Sequence, residues 1–233
     1  MPITILCAMQ AEADAIIHTL GLSPARAPWP DHLPPRFWSG PVAGTETHLV
    51  TNGHDPRTNA DLIGTTPATL AALTAITHLS PSLLLIAGAA GGRSGATEIG
   101  QVLLIDRAFH HDRRIPLPMF ADYAHGPEPL DHSPALAAAF GVRTATISTG
   151  NALDTLDHEL AFFDRHAITV KDMETASVAW AAAQHRTPVA ALRSITDFFD
   201  HPTPEHQFLA NFDHALANLG ETIARGLPGL AAG

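Results

Sequence analysis

Short apolar runs alternate with alanine-rich or amphipathic stretches along the whole chain. The runs are three to eleven residues long and largely continuous, which is the pattern of strands that are buried on both faces. The candidate strands cover residues 3–9, 83–87, 99–109, 142–148, 168–170 and 189–195. Regular alternation of strands and helices predicts a three-layer α/β/α sandwich.

Helices are predicted between these strands from apolar spacing and from their boundary residues. The predicted helices cover residues 12–21, 58–78, 133–140, 174–184 and a final amphipathic stretch from 203 to 223. Pro67 is expected to kink the second of them. Residues 37–38 and 45–51 flank Gly40 and Gly44, which predicts a β-hairpin.

Two segments lack regular patterning. Residues 23–35 contain five prolines and are predicted to form a loop rather than a linker between domains. Residues 88–92, Gly-Ala-Ala-Gly-Gly, follow an apolar strand, and their spacing matches neither a dinucleotide fingerprint nor a P-loop. Two interpretations of this glycine motif remain open: close approach of the backbone to a ligand, or a tight turn that needs positive φ.

Composition narrows the class of protein. The 233 residues are 45% hydrophobic and 15% charged, which suits one domain spanning residues 1–233. A formal net charge of −10 without a Lys/Arg cluster argues against binding to nucleic acid. The apolar runs are too short to span a bilayer, no signal peptide is expected, and one cysteine excludes a disulfide framework. We therefore expect a cytoplasmic protein that does not bind membranes.

The fifteen histidines raise the question of a metal site. His110 and His111 are adjacent and would point to opposite sides of an extended chain, and the sequence contains no His-x-x-x-His or Cys/His ligand set. No metal site is predicted.

Two carboxylates stand at junctions between predicted elements. Glu174 begins a helix and Asp197 ends a strand, so in an open α/β sheet both could face one crevice. A pair of carboxylates in different environments is suited to acid chemistry on a glycosidic bond. The alternative is structural: Glu174 complements its helix dipole and Asp197 caps a turn.

Five motifs occur in a specific order along nearly the whole chain. They are residues 8–12 (AMQAE), 88–92 (GAAGG), 148–154 (STGNALD), 172–174 (DME) and 194–197 (SITD). Together they resemble the 5′-methylthioadenosine/S-adenosylhomocysteine nucleosidases of the purine nucleoside phosphorylase superfamily. Residues 64–68 and 112–120 are most similar to the plant-type members. The resemblance implies a nucleoside phosphorylase-like α/β/α sandwich with a central mixed β-sheet.

The resemblance also implies roles for individual residues. Asp197 would donate a proton to adenine N7, and Glu12 would activate the attacking water. Glu174 would bind the ribose hydroxyls, with Met173 packed against the sugar and Arg193 orienting Glu174. The implied reaction converts 5′-methylthioadenosine to adenine and 5-methylthioribose, a step of methionine salvage, with no metal or organic cofactor. S-adenosylhomocysteine is a second candidate substrate.

Further positions complete the implied site. Backbone groups at Leu153 and Asp154 would read the adenine edge, and Phe208 would help to enclose the 5′-alkylthio group. A lip from the second subunit of a homodimer would close it. The lip residues are Ile115, Leu117 and Met119, and the remaining substrate-binding positions are Met9, Ala89, Gly91 and Thr196.

Two rival functions stay open. Related phosphorylases carry Arg and Ser where this chain has Ile86 and Ala89, and the carboxylate of Glu12 would repel phosphate, but Arg57 and Arg93 remain candidate anion ligands. Ala89 also replaces a hydroxyl residue that is common in the family. The second rival is a nucleoside-binding protein without catalysis, which the presence of all the expected carboxylates argues against.

Overall fold

Nine strands form one mixed sheet in the computed structural model, which describes residues 2–231. The strands are β1 (Ile3–Cys7), β2 (Ser23–Pro24), β3 (Arg36–Val42), β4 (Thr45–Thr51), β5 (Leu83–Gly92), β6 (Val102–His110), β7 (Thr144–Thr149), β8 (Val170–Asp172) and β9 (Val189–Phe198). The helices are α1 (Gln10–Leu20), α2 (Thr65–Leu79), α3 (Ala121–His125), α4 (Pro134–Phe140), α5 (Asp157–His166), α6 (Thr175–Gln184) and α7 (Pro204–Ala231). A short 3₁₀ turn, Pro118–Phe120, precedes α3.

The sheet closes on itself at one end. Its strand order is β2-β3-β4-β1-β5-β8-β7-β6-β9, and β5 also pairs with β9. β5 runs parallel to β9 along its length and antiparallel to β8 at Gly91 and Gly92. Five strands therefore form a closed barrel, and β1, β4, β3 and β2 extend from it as an open sheet.

Alternate residues of the central strands enter two different cores. In β5, Leu84 and Ile86 pack with α2 and α6, whereas Leu85 and Ala87 pack with α1, α4 and α7. This alternation follows from the two-residue period of a strand, and it explains why a strand covered on both faces is continuously apolar. The predicted α/β/α sandwich with a mixed sheet is confirmed.

The predicted helix over residues 58–78 is wrong in its first part. α2 begins at Thr65, and the preceding Asn59 and Gly64 have positive φ angles of 57° and 96°, which an α-helix does not accept. Pro67 is the third residue of α2. Because the first N–H groups of a helix have no intrahelical acceptor, proline fits there without the predicted kink.

Other local predictions met mixed outcomes. The hairpin is confirmed as β3 and β4, and Ser133 caps α4 as the boundary residues indicated. The proline-rich loop also contains the two-residue strand β2, which pairs with β3. Helix α5 was not predicted, because the charged residues that surround Phe162 and Phe163 obscure the apolar face that packs on Phe109 and Phe199.

Within residues 2–231, none of the helices combines the length and the apolar composition that are needed to cross a membrane. Over the same part of the chain, no three His, Cys, Asp or Glu side chains are grouped so that they could hold a metal ion.

Candidate active site

A cavity of about 270 Å³ lies at the ends of β1, β5, β8 and β9, beneath the start of α7. Many of the predicted site residues line it: Met9, Glu12, Ala89, Gly91, Leu153, Met173, Glu174, Thr196 and Phe208. Asp197 lines a smaller pocket that shares walls with this cavity at Gly91, Leu153 and Met173. Residues from five separate motifs therefore converge on one place.

Some predicted residues do not line the cavity. Arg193 lies behind it, fully buried. Asp154 is turned so that its backbone carbonyl accepts a hydrogen bond from the ammonium group of Lys171. Leu117 and Met119, from the predicted lip, are exposed at 50% and 80% and line neither of the two pockets.

The glycine motif serves close packing rather than a turn. β5 continues through Gly92, and Gly88, Gly91 and Gly92 do not have positive φ. A Cβ on Gly88 would lie 2.5 Å from Oε1 of Glu12 and 2.6 Å from Nη1 of Arg193. A Cβ on Gly91 would lie 2.9 Å from Oδ2 of Asp197. The tight-turn interpretation is therefore wrong, because the glycines leave room for the side chains of the cavity.

Glu12 is held by backbone N–H groups on both carboxylate oxygens. Oε2 accepts from Ala8 at 3.1 Å and from Met9 at 2.9 Å, and Oε1 accepts from Ala89 at 2.8 Å. Burial raises the pKa of Glu12, while Arg193 and these three hydrogen bonds oppose the rise. The result is a carboxylate that is fixed in one position and is more basic than an exposed glutamate.

Asp197 is paired with the hydroxyl of its neighbour. Thr196 Oγ1 donates to Oδ1 of Asp197 at 2.7 Å, which leaves Oδ2, on the side of Gly91, to carry a proton. Burial raises the pKa of Asp197, against the lowering effects of the Thr196 hydrogen bond and of Lys171. A carboxyl group in this environment is suited to act as a general acid.

Glu174 reaches across to another helix. Its Oε1 accepts from the backbone N–H of Gly64 at 2.9 Å, directly before α2, and its Oε2 lies 3.6 Å from Nη2 of Arg193. The pKa of Glu174 is raised to about 7, mainly by burial and also by Asp172 and Glu12, while Arg193 and the hydrogen bond from Gly64 oppose the rise. Its side chain makes no cap hydrogen bond to its own helix α6. Glu174 stands at the N-terminus of that helix, where a negative charge complements the dipole, and its contacts with Gly64 and Arg193 come in addition to this structural role.

Asp172 makes the side-chain hydrogen bond to the start of α6 that Glu174 does not make. Its Oδ2 accepts from the backbone N–H of Thr175 at 2.9 Å, which caps α6, and from Nη2 of Arg193 at 2.5 Å. Its Oδ1 accepts from the Thr149 hydroxyl at 2.6 Å. Arg193 is therefore positioned mainly by Asp172, and it neutralises Glu174 from a greater distance.

Sequence reasoning passed over Asp172 and Lys171 as site residues. Both lie in β8, whose three residues are all buried, and charged side chains are rarely buried unless they are paired. Two charged residues inside a short apolar segment were the signal that could have identified them.

His111, one of the two adjacent histidines, has a structural role next to the site. His111 is buried, and its Nδ1 lies 3.0 Å from the hydroxyl of Ser148. Burial lowers the pKa of His111 to about 4, so the ring is neutral at pH 7. A Cβ on Gly150 would lie 2.2 Å from Nε2 of His111. His111 thus packs directly beneath the segment that carries Leu153.

Comparison with known proteins gives consistent results. Residues 2–227 match the model of the Phosphorylase superfamily. A 5′-methylthioadenosine nucleosidase of Arabidopsis thaliana is 33% identical over 227 residues, which cover 96% of this chain and 85% of that protein. The apo structure of an Arabidopsis thaliana 5′-methylthioadenosine nucleosidase superposes with a TM-score of 0.93 at 31% identity, covering 97% of this chain and 94% of the other. A crystal structure of an MTA/SAH nucleosidase gives a TM-score of 0.95 at 28% identity, covering 100% and 96% of the two chains.

Proposed function

The chain belongs to the Phosphorylase superfamily and to the 5′-methylthioadenosine nucleosidases within it, and from this premise we propose how its residues carry out the reaction. The enzyme hydrolyses the N-ribosidic bond of 5′-methylthioadenosine: the bond between N9 and C1′ breaks, water supplies the hydroxyl of the sugar, and adenine leaves. The observation that carries this mechanism is the convergence of Glu12, Glu174 and Asp197 on one cavity and its side pocket.

Asp197 acts on the leaving group. It donates the proton on Oδ2 to N7 of adenine, so that the base departs neutral rather than as an anion. The hydrogen bond from Thr196 to Oδ1 supports this assignment, because it directs the proton of Asp197 to the other oxygen. Burial supports it as well, because it keeps the carboxyl protonated at higher pH than an exposed aspartic acid.

Glu12 activates water at the other side of the sugar. Its carboxylate is fixed by three backbone N–H groups, and the raised pKa makes it a better proton acceptor. Ala89 lacks the hydroxyl that is common in the family, and it contributes to this site through its backbone N–H, which donates to Oε1 of Glu12. The water loses its proton to Glu12 as it attacks C1′.

Glu174 binds the ribose and stabilises positive charge that develops on it. An oxocarbenium-like transition state carries this charge near the ring oxygen and C1′, and a fixed carboxylate close to it lowers the barrier. Met173 packs against the sugar. Behind this carboxylate, Arg193 forms ion pairs with Asp172 and with Glu174, and these fix the position of its guanidinium group.

Contacts of the two remaining candidate anion ligands favour water over phosphate. Arg57 is exposed and pairs with Asp55 at 2.8 Å, and Arg93 pairs with Asp164 at 2.5 Å. Neither arginine lines the cavity. Ile86 is buried in the core, and its apolar side chain has no hydrogen-bond donor for a phosphate. A phosphorylase needs several such donors, and this site presents a carboxylate instead.

Adenine release tests the proposed function. Purified protein is expected to liberate adenine from 5′-methylthioadenosine faster than from adenosine, because the rim formed by Ile63, Leu153 and Phe208 is apolar and suits an alkylthio group better than a hydroxyl. S-adenosylhomocysteine, the second candidate substrate, is measured beside them. Tight nucleoside binding without adenine release would support the rival binding protein.

A homodimer is part of the proposal. The lip exposes Leu117 and Met119 to solvent, at 50% and 80% of their surface, and the neighbouring Phe120 and Tyr123 are exposed at 40% and 58%. Large apolar side chains that cluster on a surface mark interaction sites. We propose that the lip of a second copy closes the cavity. The whole chain then acts as one domain, and the enzyme works in the cytoplasm, where the lone Cys7 stays reduced.

Replacing Met119 with Glu is expected to weaken the dimer at least about tenfold, because each copy loses an apolar contact of about 1.5–3 kcal/mol. Sedimentation velocity over a concentration series measures the change, and adenine release should fall with dimer dissociation. The control is His32→Glu, which adds the same charge at an exposed position of the proline-rich loop. A protein that sediments as a monomer and is fully active would contradict the proposal.

A further inference from the structure

One buried cation beside the cavity has no part in the mechanism described so far. Lys171 is the middle residue of β8, and only 4% of its surface is exposed. It lines both the main cavity and the side pocket that contains Asp197. Burying an ammonium group is costly, so its contacts indicate what the lysine is for.

All three contacts of the ammonium group go to one short segment. Nζ of Lys171 donates to the backbone carbonyl of Leu153 at 3.0 Å, to the backbone carbonyl of Asp154, and to the hydroxyl of Thr155 at 2.9 Å. An ammonium group has three donors and no acceptor. All three donors of Lys171 are therefore used by three consecutive residues, 153–155, which belong to neither a helix nor a strand.

The strand that carries Lys171 leads directly into the residues that are proposed to bind the ribose. Met173 and Glu174 follow it directly, and Lys171 pairs with Gly91 of β5, which packs against the carboxyl of Asp197. A hydrogen bond from this strand to residues 153–155 therefore fixes the segment relative to both the sugar and the acid.

We propose that Lys171 is a positioning residue for base recognition: its ammonium group holds the segment 153–155 in the position from which the backbone of the segment can hydrogen-bond to the edge of adenine. The inference rests on the proposed function, since it assigns to that segment the contact with the base. Without the lysine, the segment keeps its sequence but loses its anchor, and the base-binding groups must be ordered when adenine arrives.

The charge of Lys171 also acts on the general acid. It lowers the pKa of Asp197 and so opposes the effect of burial. The charged groups that face Lys171 are Glu159 of α5, Asp154 of the segment and Asp197 of β9, and they counteract the lowering of the pKa of Lys171 by burial. Removing the cation therefore keeps Asp197 protonated to higher pH, and the alkaline limb of the profile of kcat/KM shifts upward.

The test is product inhibition and pH dependence in Lys171→Met and Lys171→Arg. Methionine has a similar length but no donor, so the inhibition constant of adenine should rise about tenfold or more, as for a lost charge-assisted hydrogen bond. Inhibition by 5-methylthioribose should change less than about twofold, because the sugar contacts other residues. Arginine should restore part of the adenine affinity and the wild-type alkaline limb.

Two further variants keep the proposal falsifiable. Thr155→Val removes one of the three acceptors and should also raise the inhibition constant of adenine, by a smaller factor. If Lys171→Met does not fold, this variant tests the proposal in its place. Arg26→Met removes an exposed positive charge in the proline-rich loop and should change neither quantity.

The outcomes separate the two claims. A wild-type protein that releases no adenine contradicts the proposed function. An active wild type together with a folded Lys171→Met protein that retains its adenine inhibition and its alkaline limb overturns the role of Lys171 alone.

Discussion

Replacing Asp197 with Asn is expected to reduce kcat for adenine release by about 10²–10⁴-fold, the contribution of a positioned acid. Asparagine keeps the shape of the side chain and can accept the hydrogen bond from Thr196, but it has no proton to transfer to N7. The leaving base would then depart with its negative charge uncompensated. KM should change far less than kcat, because the lost interaction forms only as the bond breaks.

The matched control is Asp213→Asn, which makes the same chemical change at an exposed position of α7. Single-turnover measurement of adenine release compares both variants with the wild type. A positioned acid usually contributes far more than tenfold to the rate. If Asp197→Asn retained more than about a tenth of the wild-type kcat, Asp197 would therefore not be the acid.

Replacing Glu12 with Gln is the second substitution with a large expected effect, again about 10²–10⁴-fold in kcat. The amide cannot take a proton from water. It also places an N–H₂ group against the backbone N–H groups of Ala8 and Met9 or of Ala89, where the carboxylate accepts hydrogen bonds. At least one of these donors is then left unpaired in a buried site, which destabilises the fold as well.

Separating the two effects of Glu12→Gln requires a stability measurement. Chemical denaturation gives the loss in free energy of unfolding, while kcat is measured on the folded fraction. Glu205→Gln, at an exposed position in the first turn of α7, is the control. Near-normal turnover in a folded Glu12→Gln protein would leave the activation of water unexplained.

The raised pKa values lead to a bell-shaped dependence of kcat/KM on pH. Glu12 and Glu174 must be ionised, so activity rises as pH passes their pKa values, about 7 for Glu174 in the empty site. Asp197 must be protonated, so activity falls as pH passes its raised pKa. Ribose hydroxyls that bind Glu174 stabilise its ionised form, so the acidic limb of kcat should lie at lower pH than that of kcat/KM.

Much of the fold could be predicted because the apolar periods are regular. β5 is a continuous apolar run that alternates between two cores, and its length and composition allow few other structures. The start of α2 could not be predicted in this way. The predicted helix includes residues 58–64, but Asn59 and Gly64, residue types that accept positive φ, interrupt it there, and Gly64 donates its N–H to Glu174, which is 110 residues away.

The sequence motifs predicted residues that the structure brings to one cavity and its side pocket, but they did not predict the contacts between them. Glu174 at a helix start suggested a role in complementing the dipole of α6, whereas the side-chain hydrogen bond to the start of that helix comes from Asp172, two residues earlier. The closure of the barrel decides this, because it brings Arg193 of β9 against β8. Long-range pairing of strands is not encoded in local spacing, and so the ion pair of Asp172 with Arg193 and the contacts of Lys171 with residues 153–155 became visible only in three dimensions.

Water as the attacking nucleophile is the central claim, and phosphate dependence tests it most directly. Adenine release from 5′-methylthioadenosine is measured in phosphate-free buffer and again with added phosphate, and the sugar product is identified. The mechanism predicts equal rates in both buffers and free 5-methylthioribose as the product. Turnover that appears only with phosphate and yields a sugar phosphate would contradict it, and the role of Glu12 would fall with it.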